Sequence, residues 1–88
     1  MDENTKNMNT NEQLLKTTLA TVFNVPIDII GEDSSMDTVS QWDSVKHLNL
    51  VLAIEDTFNV SLTEEQSLEI LSFPLIKLVL AEHGISFS

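Results

Sequence analysis

Apolar residues in this chain recur at helical spacing, in blocks separated by polar, turn-forming stretches. Leu14, Leu15, Thr18, Leu19, Val22 and Phe23 form one stripe, opened by Thr10-x-x-Gln13 in the form of a capping box. This predicts a first helix opened by that box and carrying the stripe through Phe23. Residues 1–9 are polar, rich in asparagine and aperiodic, and are expected to be a disordered tail. From Asn24 to Trp42 the periodicity breaks. Pro26, Gly31 and several acids mark a long connection, with Val25, Ile27, Ile29, Ile30, Met36 and Val39 as candidate anchors to the core. A second helix is expected from Ser44 to Phe58, with Asp43 at its N-cap and Asn59 as the left-handed residue after it. Thr63-x-x-Gln66 is a second capping box and opens a short third helix to about Leu71. Ser72 caps a fourth helix with Pro74 in its first turn. Leu75, Ile76, Leu78, Val79 and Leu80 give it an apolar surface, and Gly84 ends it. Nothing reads as a strand pair. The expected fold is all-α, a small four-helix bundle with a long first loop and a short third helix. It spans residues 10–84, between the tail 1–9 and a C-terminal tail 85–88.

The second helix carries more apolar surface than a bundle helix needs. Leu50, Val51, Ile54 and Phe58 gather on one side and must face the core. Val45, Leu48 and Leu52 gather on another side, flanked by Asn49, Glu55 and Asp56. A surplus apolar stripe edged by acids has the form of a docking surface. The competing expectation is that the loop or the fourth helix covers it.

Composition narrows the function classes. The chain has 88 residues, enough for one small domain, and 42% of them are hydrophobic. It lacks cysteine, which removes disulfides, thiol catalysis and zinc-thiolate sites. Fourteen acidic residues face four lysines and no arginine, for a net charge of −10. That balance argues against nucleic acid and anionic membrane surfaces as partners, and favours partners with basic patches. No apolar run approaches membrane-spanning length and the N-terminus has no secretory apolar region, so a cytoplasmic monomer without membrane insertion is expected.

Ser44 is the residue on which chemistry is most readily placed. An exposed serine at the first turn of a helix can be modified without disturbing a core, and the positive end of the helix favours a phosphate there. Asp43-Ser44-x-x-His47 also suggests an activated nucleophile, but three features oppose it. The aspartate adjoins the serine instead of orienting the imidazole, no Gly-x-Ser-x-Gly elbow is present, and so small a helical domain offers little concave site. His47 is therefore read as a packing or boundary histidine, and Trp42 as a loop anchor. Asp28, Glu32, Asp33 and Asp37 do not match the alternating spacing and central glycine of a calcium loop, and no metal site is assigned. His83 beside Gly84 suits the negative end of the last helix.

These residues resemble an acyl carrier protein over about Asn11 to Gly84. The resemblance rests on Asp43-Ser44-Val45, on the helix ending Ile54-Glu55-Asp56-Thr57-Phe58, on Leu62-Thr63-Glu64-Glu65 at the start of the short third helix, and on the order of segments. It implies an acyl-carrier-type bundle whose Ser44 receives 4′-phosphopantetheine from coenzyme A through a phosphopantetheinyl transferase, with Asp43 as the flanking motif residue. The arm's thiol would then carry acyl cargo as a thioester to loading and transferring enzymes, and the carrier itself would not be a catalyst. It further implies that the second helix supplies the partner surface, here Val45, Leu48, Leu52, Glu55 and Asp56. Two departures stand out. Lys46, His47 and Asn49 occupy places where fatty-acid-type carriers commonly hold acids, and Ser40-Gln41-Trp42 replaces the paired glycines of peptidyl carriers. The first argues for different partner enzymes, and the Trp42-Asp43-Ser44-Val45-x-His47 run resembles free-standing carriers of specialised pathways, such as small-acid, polysaccharide or secondary-metabolite systems. The alternative is an acidic helical docking module that is never modified.

Overall fold

The computed structural model describes residues 10–87. The tail assigned to 1–9 lies outside the described residues, as does the capping role given to the Thr10 side chain. Among the described residues, four α-helices form a small all-α bundle: α1 (Thr10–Phe23), α2 (Ser44–Phe58), α3 (Glu64–Glu69) and α4 (Phe73–Glu82). A 3₁₀ turn at Ile27–Ile29 interrupts the connection from α1 to α2.

Helix α1 buries Leu15, Thr18, Leu19 and Phe23 on one face. The Thr18 hydroxyl is satisfied within the helix by donating to the Leu14 carbonyl at 2.8 Å. Leu14 itself lies at the edge of the stripe and is exposed. Asn24 ends the helix at φ 58°, in the left-handed region that asparagine tolerates better than most residues.

The long connection is strapped to the core along its length. Ile30, Val39 and Trp42 are buried, and Val25 and Met36 pack against the same cluster. Ile29 differs from its expected anchoring role and is 54% exposed. The 3₁₀ turn buries none of its own residues: Ile29 faces outward and Ile27, also expected as an anchor, is half-buried outside the core cluster, so Ile30 just after the turn makes the contact. Ser34 is buried by design of its bonds: its hydroxyl accepts from the Gly31 N–H and donates to the Ile29 carbonyl. Two backbone bonds then tie the loop to the start of α4, Phe73 N–H to Ser34 O (2.8 Å) and Met36 N–H to Leu71 O (3.1 Å).

Helix α2 starts and stops where its local chemistry dictates. The Asp43 carboxylate accepts the Lys46 N–H at its N-terminus, and Asn59 at φ 56°, ψ 50° returns its N–H to the Glu55 carbonyl. Leu50, Ile54 and Phe58 are buried and Val51 packs at the margin. Helix α3 has both arms of the Thr63–Gln66 capping box. It ends at Glu69, short of the expected Leu71. Ile70 leaves helical geometry (φ −83°, ψ 63°) to place its side chain fully in the core, and Leu71 then offers its carbonyl to the loop. Helix α4 buries Phe73, Ile76, Val79 and Leu80, while Leu75 and Leu78 of the expected apolar surface point outward. Beyond Gly84 (φ 89°) the chain folds back, so that Ile85 and Phe87 pack on the core and the Phe87 ring lies 6.4 Å from Phe58.

Packing outweighs capping in this arrangement. Each fully buried Leu, Ile or Phe contributes about 1.5–3 kcal/mol, and each cap only about 1 kcal/mol. The core therefore decides which helices form and the caps decide where they begin. Lys77 adds a surface tie from α4 to Glu32 (2.6 Å) and Glu12 (3.7 Å). The Glu32 hydrogen bond, against a smaller effect of burial, holds the Lys77 ammonium above the usual lysine range. Exposed pairs of this kind contribute at most about 1 kcal/mol.

Candidate functional site at the start of helix α2

The loop delivers Trp42 into the core and Asp43-Ser44 onto the surface within three residues. Trp42 is 2% exposed, and its ring lies 4.9 Å from that of Phe23 at a tilt of 31°. Its backbone N–H donates to the Val39 carbonyl at 2.9 Å. With the tryptophan fixed, the extended backbone of Asp43 (φ −104°, ψ −174°) turns the chain outward into the helix. Asp43 then makes two contacts to the first turn. Its Oδ1 accepts the Lys46 N–H (2.9 Å) and its carbonyl accepts the His47 N–H (2.8 Å).

Ser44 is the first residue of α2 and is exposed. Among the described residues, no acceptor meets the N–H groups of Ser44 or Val45. The positive end of the helix thus has unclaimed donors beside an accessible hydroxyl, an environment that suits a phosphoryl oxygen. The adjacent Asp43 carboxylate opposes part of that attraction and is itself held by its N-cap bond.

Past Ser44 the exposed row predicted from periodicity is present. Val45, Leu48 and Leu52 are 68%, 66% and 64% exposed, so neither the loop nor α4 covers them. Asp56 is exposed at the far end of the helix. Glu55 is placed differently from a free acid of that face. Its side chain is half-buried and Oε2 accepts the Leu62 N–H at 2.8 Å, so it organises the turn into α3. Helix α3 brings one apolar residue to the surface that helical periodicity could not have singled out. Leu68 is 69% exposed, and six residues are too few to define a face from the sequence.

His47 is not placed to act on Ser44. Trp42 Nε1–H donates to His47 Nδ1 (3.1 Å), and His47 Nε2 bonds to the Ser67 carbonyl (2.8 Å). Both ring nitrogens are engaged away from the serine, which leaves the imidazole no lone pair with which to take its proton. The histidine is a packing residue, as its place on the helix suggests, but one with two specific partners.

A comparison with models of known protein families finds none that matches this chain, and a search of curated protein sequences finds no match either.

Proposed function

We propose that this chain is an acyl carrier protein that tethers acyl or related intermediates as thioesters on a 4′-phosphopantetheine arm at Ser44. The observation that carries the reading is the exposure of Ser44 at the first position of α2, between an N-cap aspartate and an uncovered apolar row. In the modification the Ser44 hydroxyl oxygen bonds to the phosphorus that bears the pantetheine of coenzyme A. The pyrophosphate bond breaks, adenosine 3′,5′-bisphosphate leaves, and the serine proton passes to the transferase's base or to water. The residues present fit that group, because the added phosphodiester is an anion at a helix N-terminus with unclaimed N–H donors. The arm supplies a thiol for thioester chemistry, which the cysteine-free chain lacks.

The chain's own contribution is presentation. Tethering raises the effective concentration of cargo at each enzyme visited. Val45, Leu48 and Leu52 offer apolar contact beside the attachment point, and the net charge of −10 steers the carrier to enzymes with basic patches. This reading makes the protein a substrate of a phosphopantetheinyl transferase and a monomeric cytoplasmic partner of acyl-loading and acyl-transferring enzymes. No helix among the described residues is long and apolar enough to cross a membrane.

The test is incubation of the purified protein with coenzyme A and a broad-specificity phosphopantetheinyl transferase, followed by intact mass and peptide mapping. A gain of one phosphopantetheine on the peptide containing Ser44 is expected. A folded protein that gains nothing, beside a control carrier that does, overturns the reading. It would favour the second one, an unmodified docking module, which the same uncovered row supports.

The row itself gives a separate prediction. Leu52→Glu changes an exposed side chain, so its effect on stability should stay within about 0.5 kcal/mol. At a partner interface an apolar anchor is worth about 1–3 kcal/mol, so transfer by a partner enzyme should fall roughly 5- to 100-fold. Side-by-side thermal melts and transfer rates check this. Equal rates for wild type and variant, or a collapsed fold, would remove Leu52 from the partner face.

A further inference from the structure

The only tryptophan of the chain and one of its two histidines share a hydrogen bond directly behind Ser44. An indole N–H is a donor only, so His47 Nδ1 must accept, and the ring proton sits on Nε2. Nε2–H then donates to the Ser67 carbonyl at 2.8 Å. The two partners together assign one tautomer and one ring orientation. The imidazole lies nearly parallel to the indole, with an interplanar angle of 18° and centroids 6.3 Å apart.

Three segments meet at this ring. Trp42 ends the long connection, His47 belongs to the first turns of α2, and Ser67 belongs to α3. Helix α3 buries no residue of its own. Its position therefore depends on Ile70 after its end and on polar ties: the Ser67 carbonyl to His47, and Gln66 to His83 (2.9 Å) and Glu82 (3.0 Å). Of the ties made by α3 itself, only the one to His47 reaches the helix that begins with Ser44, while the Glu55–Leu62 bond holds the turn before α3. Leu68, the residue after Ser67, is exposed as fully as Val45, Leu48 and Leu52.

We propose that His47 is a positioning residue that sets Ser44 and the exposed row of α2 in fixed relation to α3. It does so by accepting from Trp42 on one side and donating to Ser67 on the other. An enzyme that reads Ser44 together with Leu68 then meets a preformed surface. Without the imidazole, Trp42 still anchors the loop by burial, and α3 keeps the Glu55–Leu62 bond at its entry and Ile70 at its exit, but the helix itself loses its tie to α2 and can shift between those two points. Each encounter then costs part of its binding energy in ordering the two helices. In its functional consequence this rests on the carrier reading, and in its geometry it stands apart from it.

The experiment has two arms. In the first, ¹⁵N spectra of the wild-type protein near neutral pH report the ring and the single indole. Nδ1 should be unprotonated, Nε2 protonated, and the Trp42 indole N–H protected from exchange. A tautomer-averaged ring or a rapidly exchanging indole N–H overturns the proposal without any variant. In the second, phosphopantetheinyl transfer is measured on wild type, His47→Phe and His47→Asn, at a temperature where circular dichroism shows each folded. His47→Phe keeps a ring but neither bond, and should lose about tenfold in kcat/KM through KM, with kcat nearly unchanged. His47→Asn keeps an oxygen acceptor near the indole and should recover part of that loss. An unchanged KM in His47→Phe, or a rate loss that only follows its unfolded fraction, overturns the positioning role. If wild type is never modified at Ser44, the carrier reading falls, and the spectra alone decide the clamp.

Discussion

Ser44→Ala is expected to abolish phosphopantetheine attachment completely while leaving the melting temperature close to that of the wild type. The two effects separate because Ser44 is the first helical residue and Asp43 is the cap. Among the described residues the Ser44 hydroxyl makes no hydrogen bond, so its removal leaves no partner unsatisfied. Alanine has the highest helix propensity, and exposed substitutions of this sort move stability by at most about 0.5 kcal/mol. Chemically, however, the variant has lost the hydroxyl of the first helical residue, the nucleophile of the attachment reaction. Intact mass after incubation with coenzyme A and a transferase, paired with a thermal melt, checks both halves. A variant that still gains the group on another serine would move the attachment site. A variant that melts far below wild type would mean that Ser44 carries a structural role its exposure does not suggest.

The features legible in the sequence are those set by contacts within a few residues. Helix α2 is the clearest case, since Asp43, the apolar period and Asn59 act locally and fix its range of Ser44–Phe58. The same holds for the Thr63–Gln66 box and for Ser72 at the start of α4. The uncovered row was legible for a different reason. Leu50, Ile54 and Phe58 already satisfy the core, so Val45, Leu48 and Leu52 had nowhere to be buried. What escaped is tertiary. Ile29, Leu14 and Leu78 are apolar residues in apolar neighbourhoods, and only the assembled core shows that they face outward. The end of α3 depends on the place Ile70 takes in the core and on the loop's claim to the Leu71 carbonyl. Glu55 reads as a free acid of the partner face until its bond to Leu62 is seen. Asn24 ends α1 with the same left-handed geometry as Asn59, a signal of residue type that was open to notice. The pairing of His47 with Trp42 and Ser67 left no periodic trace, because it joins a loop, a helix and a carbonyl 20 residues away.

Trp42→Ala should be the most damaging single substitution in the loop. The indole is buried, stacks obliquely on Phe23 and supplies the hydrogen bond to His47. Removing a buried aromatic side chain of this size costs about 3–5 kcal/mol. The stability of small domains lies at about 0.05–0.15 kcal/mol per residue, so that loss is a large fraction of what an 88-residue chain commands. At about 4–8 °C per kcal/mol, the melting temperature should fall by roughly 12–40 °C. Trp42→Phe separates packing from hydrogen bonding. It keeps a ring against Phe23 and deletes only the donor and part of the area, so its cost should be well below that of alanine. Urea or thermal denaturation followed by circular dichroism measures both. A cost under about 1 kcal/mol for Trp42→Ala would show that Ile30 and Val39 hold the loop without it, against the expectation for a fully buried aromatic. The functional consequence follows from position. Trp42 is the last fixed point before the cap, so losing it frees the backbone that aims Asp43 and Ser44. Attachment at Ser44 in Trp42→Ala should therefore fall further than the folded fraction alone accounts for, and in Trp42→Phe, which keeps the packing but loses the bond to His47, the excess should be smaller.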